Sequence, residues 1–307
     1  MTAVADPPWK KDLSCLFPHA RWKEPMSEHT TFKLGGPADC FLELESLSHV
    51  HYFFSCARAQ KIPFFILGWG SNLLVRDGGI RGVVLQFQEE FDQLEALPDL
   101  RVAAGAAVRL PRLVTFCADH GLAGSESLVG VPGTVGGALI MNAGTREGEI
   151  GDLTESVSVY DVPREKVTEW RKDRLQFQYR HSNLQGQVIL GATLCLRKGN
   201  KVDIIRKIQE LQKKRLQTQP VHTFNVGSVF KNPPGHFVAK IIEEAGLKGA
   251  VQGGVRVSPQ HANFIENFNR GTSQDVLDLI DKIRKTVLDR FKISLELEVK
   301  VVGEDRP

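Results

Sequence analysis

The stretch that decides the fold is 130-GVPGTVGGALIMNAG-144, a glycine-rich segment near the middle of the chain. A second glycine-rich stretch, 67-LGWGSNLLV-75, lies upstream of it. Glycine lets the backbone approach a bulky anion closely, and successive N–H groups in such loops form concave anion sites. Ser71, Thr134 and Asn142 add side-chain hydrogen-bond donors. Two such segments favour a dinucleotide pyrophosphate site, although either one alone could equally be a tight turn.

The residues that we expect to contact this ligand are the glycines and small polar residues of both stretches: Gly68, Gly70, Ser71, Asn72, Gly133, Thr134, Gly136, Gly137 and Asn142. Neither stretch matches a known phosphate motif, because the sequence has no G-x-x-x-x-G-K-[ST] and no G-x-G-x-x-G that opens a helix after a strand. Spacing alone therefore leaves the ligand unnamed.

Hydrophobic periodicity predicts a mixture of helices and strands. Helical spacing of apolar residues covers 47–59, 110–120 (ended by Gly121), 202–216 and 273–291. Strand patterns cover 64–67, 73–75, 83–85, 102–104, 155–160, 166–171 and 188–196, and the segment 293–301 alternates cleanly as a last strand. Because helices and strands do not alternate regularly, the pattern favours an α+β fold over a doubly wound sheet.

Composition narrows the class of protein. The chain has 307 residues, 42% hydrophobic and 24% charged, which is typical of a globular protein of two or three domains. A net charge of +3 without a basic face argues against nucleic-acid binding. Five scattered cysteines predict neither a disulfide framework nor a metal site and favour a reducing, cytoplasmic compartment. No signal peptide and no membrane span are expected.

The motifs, taken in order, resemble those of the UDP-N-acetylenolpyruvoylglucosamine reductases (MurB) over about residues 28–303. The matching strings are 30-TTFKLGGPA-38, 67-LGWGSNLLV-75, 130–144, 179-YRHS-182, 227-GSVFKNP-233, 261-HANFI-265 and 295-LELEV-299. The first half alone also resembles FAD-binding domains of the vanillyl-alcohol-oxidase (PCMH) type, which hold FAD between two small α+β subdomains. Any one string would be weak evidence, whereas the ordered set is specific.

The resemblance implies a domain organisation and a reaction. It implies an N-terminal extension (1–27), an FAD-binding domain (28–200, with subdomains of about 28–87 and 88–200) and a C-terminal α+β substrate-binding domain (201–303). In the implied reaction, NADPH reduces non-covalently bound FAD, and the reduced cofactor then reduces the enolpyruvyl group of UDP-N-acetylglucosamine enolpyruvate. The product, UDP-N-acetylmuramate, is a peptidoglycan precursor. The resemblance further implies a cytoplasmic monomer.

The resemblance also assigns catalytic roles to Arg180, Ser228 and Glu298. Arg180 would hold the substrate carboxylate with its planar fork. Glu298 would stabilise the same developing anion as a neutral acid with a raised pKa. Ser228 would give a proton to the alpha carbon, with an acidity raised by its setting, to which Lys231 or Asn232 would contribute. The expected substrate-binding residues are Tyr179, Lys231, Asn232 and His261.

Several features leave alternatives open. The short interval between Arg180 and Ser228 resembles the compact subclass that lacks the module with a substrate-clamping tyrosine. Trp69 and 145-TRE-147 depart from the more usual residues of their loops. Without the resemblance, Arg180 could be a surface ion-pair partner, Ser228 a turn cap and Glu298 a solvated carboxylate. A flavoprotein that oxidises an alcohol or hydroxy acid, and a nucleotide-sugar sensor without turnover, remain the competing hypotheses.

Overall fold

The computed structural model describes residues 7–305. The predicted N-terminal extension, residues 1–27, therefore lies partly outside the described residues. Its described part contains a helix and a strand that both pack against the rest of the chain, with Trp9, Leu13 and Phe17 buried in the largest hydrophobic core.

The secondary structure mixes helices and strands along the whole chain. The helices are α1 (Lys10–Leu16), α2 (Leu47–Gln60), α3 (Leu110–Asp119), α4 (Val135–Met141), α5 (Ile150–Leu153), α6 (Lys201–Thr218), α7 (Val238–Glu244) and α8 (Ser273–Phe291). The strands are β1 (Arg21–Pro25), β2 (Pro37–Leu44), β3 (Phe64–Leu67), β4 (Leu73–Val75), β5 (Ile80–Phe87), β6 (Leu94–Leu97), β7 (Arg101–Gly105), β8 (Leu122–Ala123), β9 (Gly144–Thr145), β10 (Gly148–Glu149), β11 (Thr154–Asp161), β12 (Lys166–Arg171), β13 (Phe177–Gln178), β14 (His181–Ser182), β15 (Val188–Cys195), β16 (Arg197–Lys198), β17 (Val251–Gln252), β18 (Val255–Val257), β19 (Ile265–Asn267) and β20 (Lys300–Val302).

The first sheet has the strand order β1-β2-β5-β3, in which β2, β5 and β3 are parallel. Helix α2 connects β2 to β3, begins at the N-cap Ser46 and buries Val50, Phe53 and Phe54 against the sheet. The loop 68–72 follows β3 directly, at the carboxyl end of a parallel strand. Ligands commonly bind outside such strand ends, so this sheet places the first glycine-rich stretch where a cofactor can reach it.

The second sheet is antiparallel, with the order β12-β11-β15-β7-β6. Helix α3 packs its apolar face into the core that both sheets share. It ends just before Gly121, whose φ of +65° is the left-handed conformation that glycine adopts easily, as the sequence predicted. The second glycine-rich stretch runs from the loop 130–134 into α4, whose N-cap Thr134 accepts a hydrogen bond from the Gly137 N–H.

A separate core gathers α7, α8 and the small sheet β17-β18-β19. The chain then returns to its first half, because β20 pairs in parallel with β4 and the Lys300 N–H donates to the Asn72 carbonyl. This pairing carries residues 298–300 to the first glycine-rich loop. The last strand thus joins the C-terminal core to the first glycine-rich loop.

The predicted last strand, 293–301, is mostly wrong. Only Lys300–Val302 forms a strand, preceded by a single bridge between Leu297 and Phe230. The N–H groups of Glu298 and Val299 both donate to the Val229 carbonyl, which disrupts the regular ladder. Leu295 and Val299 are nevertheless buried, so the alternation marked the buried face correctly. The other predicted helices and strands are confirmed to within a few residues, and the α+β fold is confirmed.

Candidate active site

A cleft of about 480 Å³ lies between the two glycine-rich stretches and continues to Ser228 and Glu298. It adjoins a second cavity of about 440 Å³, with which it shares Gly68, Trp69 and Thr134. Sizes in this range are typical of small-molecule and cofactor sites. The fold therefore provides one long cleft, with glycine loops at one end and ionisable side chains at the other.

The two glycine-rich stretches face each other across the cleft. The Ser71 hydroxyl donates to the Pro132 carbonyl at 2.7 Å. A Cβ atom at Gly68 would lie 2.8 Å from Thr134 Oγ1, so a side chain there would push the loops apart. Gly70 has a φ of +65°, and a Cβ atom there would lie 2.1 Å from the His29 carbonyl oxygen. These glycines let the loops approach as closely as they do.

The residues of this end fit a dinucleotide cofactor. Within residues 7–305, the backbone N–H groups of residues 69–72 donate to no protein acceptor, which leaves them for an anionic ligand. A Cβ atom at Gly133 would meet only Ser71 Oγ, at 3.6 Å, so the glycine opens space in the cleft. The loops thus form a cradle with polar N–H groups at its wall, as a bound pyrophosphate requires.

The structure brings nearly all of the predicted cofactor residues to the cleft surface. Lining the main cleft are Gly68, Gly70, Ser71, Asn72, Gly133, Thr134 and Gly137, and Gly136 lines the adjoining cavity. Asn142 is different. It is buried behind the cleft wall, where its side chain donates to Glu149 Oε2 at 2.5 Å and to the Gln178 carbonyl at 3.0 Å.

At the other end of the cleft, Arg180 and Glu298 form an ion pair, with Arg180 Nε donating to Glu298 Oε1 at 2.7 Å. Arg180 also donates from Nη2 to the Gly144 carbonyl at 3.2 Å. It lies in the turn between β13 and β14 with a φ of +54°, a conformation uncommon for residues other than glycine and often found at functional sites. The pair joins residues 118 positions apart in the sequence.

Glu298 is shielded from solvent, with only 16% of its side chain exposed. Burial raises the pKa of its carboxyl group above the usual value, and the Arg180 guanidinium opposes that rise without cancelling it. Its neighbour Glu296 is 73% exposed and pairs with Lys231. The two carboxylates that the sequence placed on one face therefore have different environments, and only Glu298 lies in the cleft.

Ser228 lines the cleft beside Glu298, because the next residue, Val229, accepts backbone hydrogen bonds from residues 298 and 299. The Gly227 N–H donates to Asn225 Oδ1 at 2.9 Å, so the asparagine caps this turn. The Ser228 hydroxyl has no hydrogen-bond partner among the described residues. The interpretation of Ser228 as a turn cap thus has no supporting contact in this structure.

The four predicted substrate-binding residues lie outside the lining of the cleft. Lys231 Nζ pairs with Glu296, and Asn232 Oδ1 accepts the Val238 N–H at the start of α7. His261 packs edge-on against Phe264, and burial lowers its pKa. Tyr179 is 48% exposed, with its ring centre 4.9 Å from the Arg180 guanidinium carbon. Neither Lys231 nor Asn232 hydrogen-bonds to Ser228, so no contact supports the prediction that they raise the acidity of its hydroxyl.

Sequence reasoning missed three ionisable residues of this region. Glu149 contacts Arg180, while Arg215 of α6 and Lys300 of β20 line the cleft. Desolvation beside the cleft lowers the pKa of both cations, of which Lys300 keeps an exposed side chain. Arg215 donates from Nε to Gln219 Oε1. Its place in a basic, amphipathic helix gave no signal that it would reach a cleft. Among residues 7–305, no group of three or more His, Cys, Asp or Glu could hold a metal ion.

Two family profiles match the chain. The FAD binding domain profile matches residues 38–170, and the profile of the UDP-N-acetylenolpyruvoylglucosamine reductase C-terminal domain matches residues 219–302. The UDP-N-acetylenolpyruvoylglucosamine reductase of Moorella thermoacetica is 42% identical over 283 residues, covering 92% of each chain. This chain belongs to the UDP-N-acetylenolpyruvoylglucosamine reductase family. The family predicted from the ordered motifs is thereby confirmed.

Other members agree in sequence and in fold. The UDP-N-acetylenolpyruvoylglucosamine reductase of Lachnoclostridium phytofermentans is 40% identical over 286 residues, 92% of each chain. The crystal structure of the reductase (MurB) from Thermus caldophilus matches with a TM-score of 0.78 and 35% identity, covering 92% of this chain and 98% of that one. The two-part reductase fold predicted from the sequence, with an FAD-binding part and the reductase C-terminal part, is also confirmed.

Proposed function

We propose that this protein catalyses the FAD-dependent reduction of UDP-N-acetylglucosamine enolpyruvate to UDP-N-acetylmuramate with NADPH. The observation that carries the proposal is the cleft itself. One end of the cleft is a cradle of glycine-rich loops that fits a dinucleotide, and the other end holds the Arg180–Glu298 pair and Ser228. The chain that carries this cleft belongs to the reductase family. Bound FAD supplies the two-electron chemistry there. The residues Arg180, Ser228 and Glu298 supply the binding, charge and proton that the substrate needs.

Each of the three side chains has a task that its contacts suit. Arg180 uses Nε on Glu298 and Nη2 on Gly144, and the remaining N–H groups of its fork can bind the substrate carboxylate. Glu298, largely shielded from solvent and with a raised pKa, acts as the acid that donates a hydrogen bond to the enolate-like anion beside that carboxylate. The Ser228 hydroxyl, which has no other partner in residues 7–305, gives its proton to the alpha carbon.

The decisive test is NADPH oxidation by the purified, yellow protein with and without the enolpyruvyl UDP-sugar. Substrate-dependent oxidation that yields the lactyl ether supports the proposal. A flavin-free protein that binds the nucleotide sugar without turnover would support the sensor hypothesis instead. A flavoprotein that ignores this substrate and is reduced by alcohols or hydroxy acids would support the other enzyme class.

The cofactor is expected to be released completely by acid precipitation. Neither histidine nor cysteine is among the residues that line the cleft, so this surface offers no imidazole or thiol that could bond covalently to the flavin ring. All yellow colour should therefore pass into the supernatant, where absorbance near the flavin maximum quantifies it. Colour retained in the protein pellet would mean a covalent link and would contradict this prediction.

Glu298 is expected to control the alkaline side of the pH profile. Because burial raises its pKa, the neutral acid persists to a higher pH than an ordinary carboxyl group allows. As pH rises through that pKa, Glu298 ionises, and the rate of flavin reoxidation by substrate should fall by about tenfold per pH unit. Glu298→Gln, a neutral isostere, should remove this decline. A mutant that keeps the same pH profile would assign the titration to another group.

The same proposal extends to the setting of the reaction. We propose that the enzyme acts in peptidoglycan precursor synthesis, and through it in cell shape and division, as a cytoplasmic monomer. We also propose the division into an FAD-binding domain (28–200) and a substrate-binding domain (201–303). The sparse, unpaired cysteines support a reducing compartment. In residues 7–305 no helix has the length and apolar character to cross a bilayer.

A further inference from the structure

Arg180 contacts two carboxylates, and the second of them, Glu149, has no role in the function proposed above. Arg180 Nη1 lies 3.4 Å from Glu149 Oε1, on the side of the guanidinium away from the Nε contact with Glu298. Glu149 is the last residue of β10 and pairs with Gly144 of β9, whose carbonyl also accepts from Arg180. Two groups of this one hairpin therefore hold the arginine, and Glu298 holds it from the C-terminal part of the chain.

Glu149 is itself held in place by Asn142 and Asp152. Its other oxygen, Oε2, accepts the Asn142 side-chain N–H₂ at 2.5 Å, and its backbone N–H donates to Asp152 Oδ2 at 2.9 Å. A Cβ atom at Gly144 would lie 2.5 Å from the Glu149 Cα, so the two strands pack as closely as glycine permits. Asn142 is fixed in turn, because its Oδ1 accepts the Gly151 N–H at 3.0 Å. These hydrogen bonds fix the Glu149 carboxylate, whose Oε1 then contacts Arg180.

We propose that Glu149 is a positioning residue for the reaction, which acts through Arg180 and is oriented by Asn142. Only a carboxylate can accept from Asn142 and Arg180 with its two oxygens at once, whereas a glutamine would turn an N–H₂ group toward one of these donors. Fixing Nη1 and Nη2 from the hairpin sets the plane of the fork, and therefore the angle at which it meets a substrate carboxylate. This inference rests on the proposed function.

The charges of Arg180, Glu149 and Glu298 support the same assignment. One guanidinium can neutralise one of its two carboxylates, and with both ionised these three side chains carry a net negative charge, which disfavours a substrate carboxylate beside Arg180. Burial raises the pKa of both carboxyl groups, and the Arg180 guanidinium opposes that rise in each. Glu149 is the more exposed of the two, with 26% against 16% of the side chain accessible, so its ionised form is penalised less. Glu149 therefore serves as the charged partner of Arg180, which leaves Glu298 free to act as a neutral acid.

The experiment compares Glu149→Gln with Glu147→Gln in the FAD-loaded enzyme, by stopped-flow measurement of both half-reactions and by thermal unfolding. Glu147 is an exposed carboxylate at the tip of the same hairpin and provides the matched control. We expect Glu149→Gln to slow flavin reoxidation by the enolpyruvyl UDP-sugar about tenfold, the effect of one weakened charge-assisted bond. Reduction by NADPH, FAD content and the unfolding temperature should match those of Glu147→Gln.

A double variant separates positioning from mere structural support. If Glu149 acts through Arg180, adding Glu149→Gln to Arg180→Lys should slow reoxidation no further. Multiplied losses, or a Glu149→Gln rate equal to that of Glu147→Gln, would overturn the inference. Should glutamine destabilise the hairpin, Glu149→Asp decides the matter: it keeps the carboxylate and should lose less activity than glutamine. An equal loss in both variants would also overturn it. Absence of substrate-dependent turnover in the wild type and in Glu147→Gln would instead refute the proposed function.

Discussion

Replacing Ser228 with alanine is expected to slow reoxidation of the reduced flavin by the enolpyruvyl UDP-sugar by about 10²–10⁴-fold, the range typical of a lost general acid. Its hydroxyl lines the cleft beside Glu298 and hydrogen-bonds to no other group in residues 7–305, so its removal breaks no hydrogen bond. FAD binding and reduction by NADPH should remain nearly intact. Stopped-flow measurement of the two half-reactions, each followed by flavin absorbance, checks the prediction.

Two further variants sharpen this test. Ser228→Cys should recover part of the rate, because a thiol of pKa about 8.5 can also donate a proton. Ser71→Ala should show the opposite pattern, since Ser71 lies at the cofactor end and bonds to the Pro132 carbonyl. It should weaken FAD binding and leave the proton-transfer step of the loaded enzyme comparatively unaffected. Near-normal reoxidation by Ser228→Ala would remove the serine from the mechanism and direct attention to Glu298 or an ordered water.

The sequence predicted the fold well where the signal was local. Helices α2, α3 and α8 carry apolar stripes of 10 to 19 residues, and their ends carry recognisable signals: a serine or threonine N-cap, or a following glycine. The segment 293–301 failed for a different reason. Alternation reports which side chains are buried, but a strand also needs a regular partner, and here two successive N–H groups donate to one carbonyl.

The glycine-rich loops were predicted as a site because their chemistry can be read from the residues themselves. Glycines and small donors in two stretches indicated an anion cradle, and the structure places the two stretches against each other. Asn142 belongs to the same stretch, but it lies at the C-terminal end of α4 with a φ of +46°. The change of direction there turns its side chain away from the cleft. Composition alone carries no information about such a turn.

The catalytic end depended on resemblance, because its parts come from four separate segments. Arg180 meets Glu298 across 118 residues and Glu149 across 31. No periodicity connects such positions, and each residue taken singly is typical of a solvated surface. Glu149 shows the limit most clearly, since the resemblance assigned it no role. Only the packing of β9 against β10 reveals that its carboxylate reaches the arginine.

Arg180→Lys is the second variant for which a large effect is expected, about 10- to 100-fold on flavin reoxidation by substrate. Lysine keeps the charge but replaces the planar fork with a single ammonium group, which cannot bond at once to Glu298, the Gly144 carbonyl and a substrate carboxylate. Each lost charge-assisted bond costs about 1.5–3 kcal/mol, and about 1.4 kcal/mol corresponds to a tenfold change in rate. Flavin reduction by NADPH should change much less, because no carboxylate is held in that step.

The matched control is Arg174→Lys. Arg174 is exposed and stacks 3.5 Å over the Trp170 ring, outside the residues that line the cleft, so its loss should leave both half-reactions at the wild-type rate. The ratio of the two half-reaction rates decides the role of Arg180. A loss confined to reoxidation fits a group that holds the substrate carboxylate. Equal losses in both half-reactions would mean that Arg180, whose backbone stands at a φ of +54° in the turn between β13 and β14, supports the cofactor or the fold rather than the substrate.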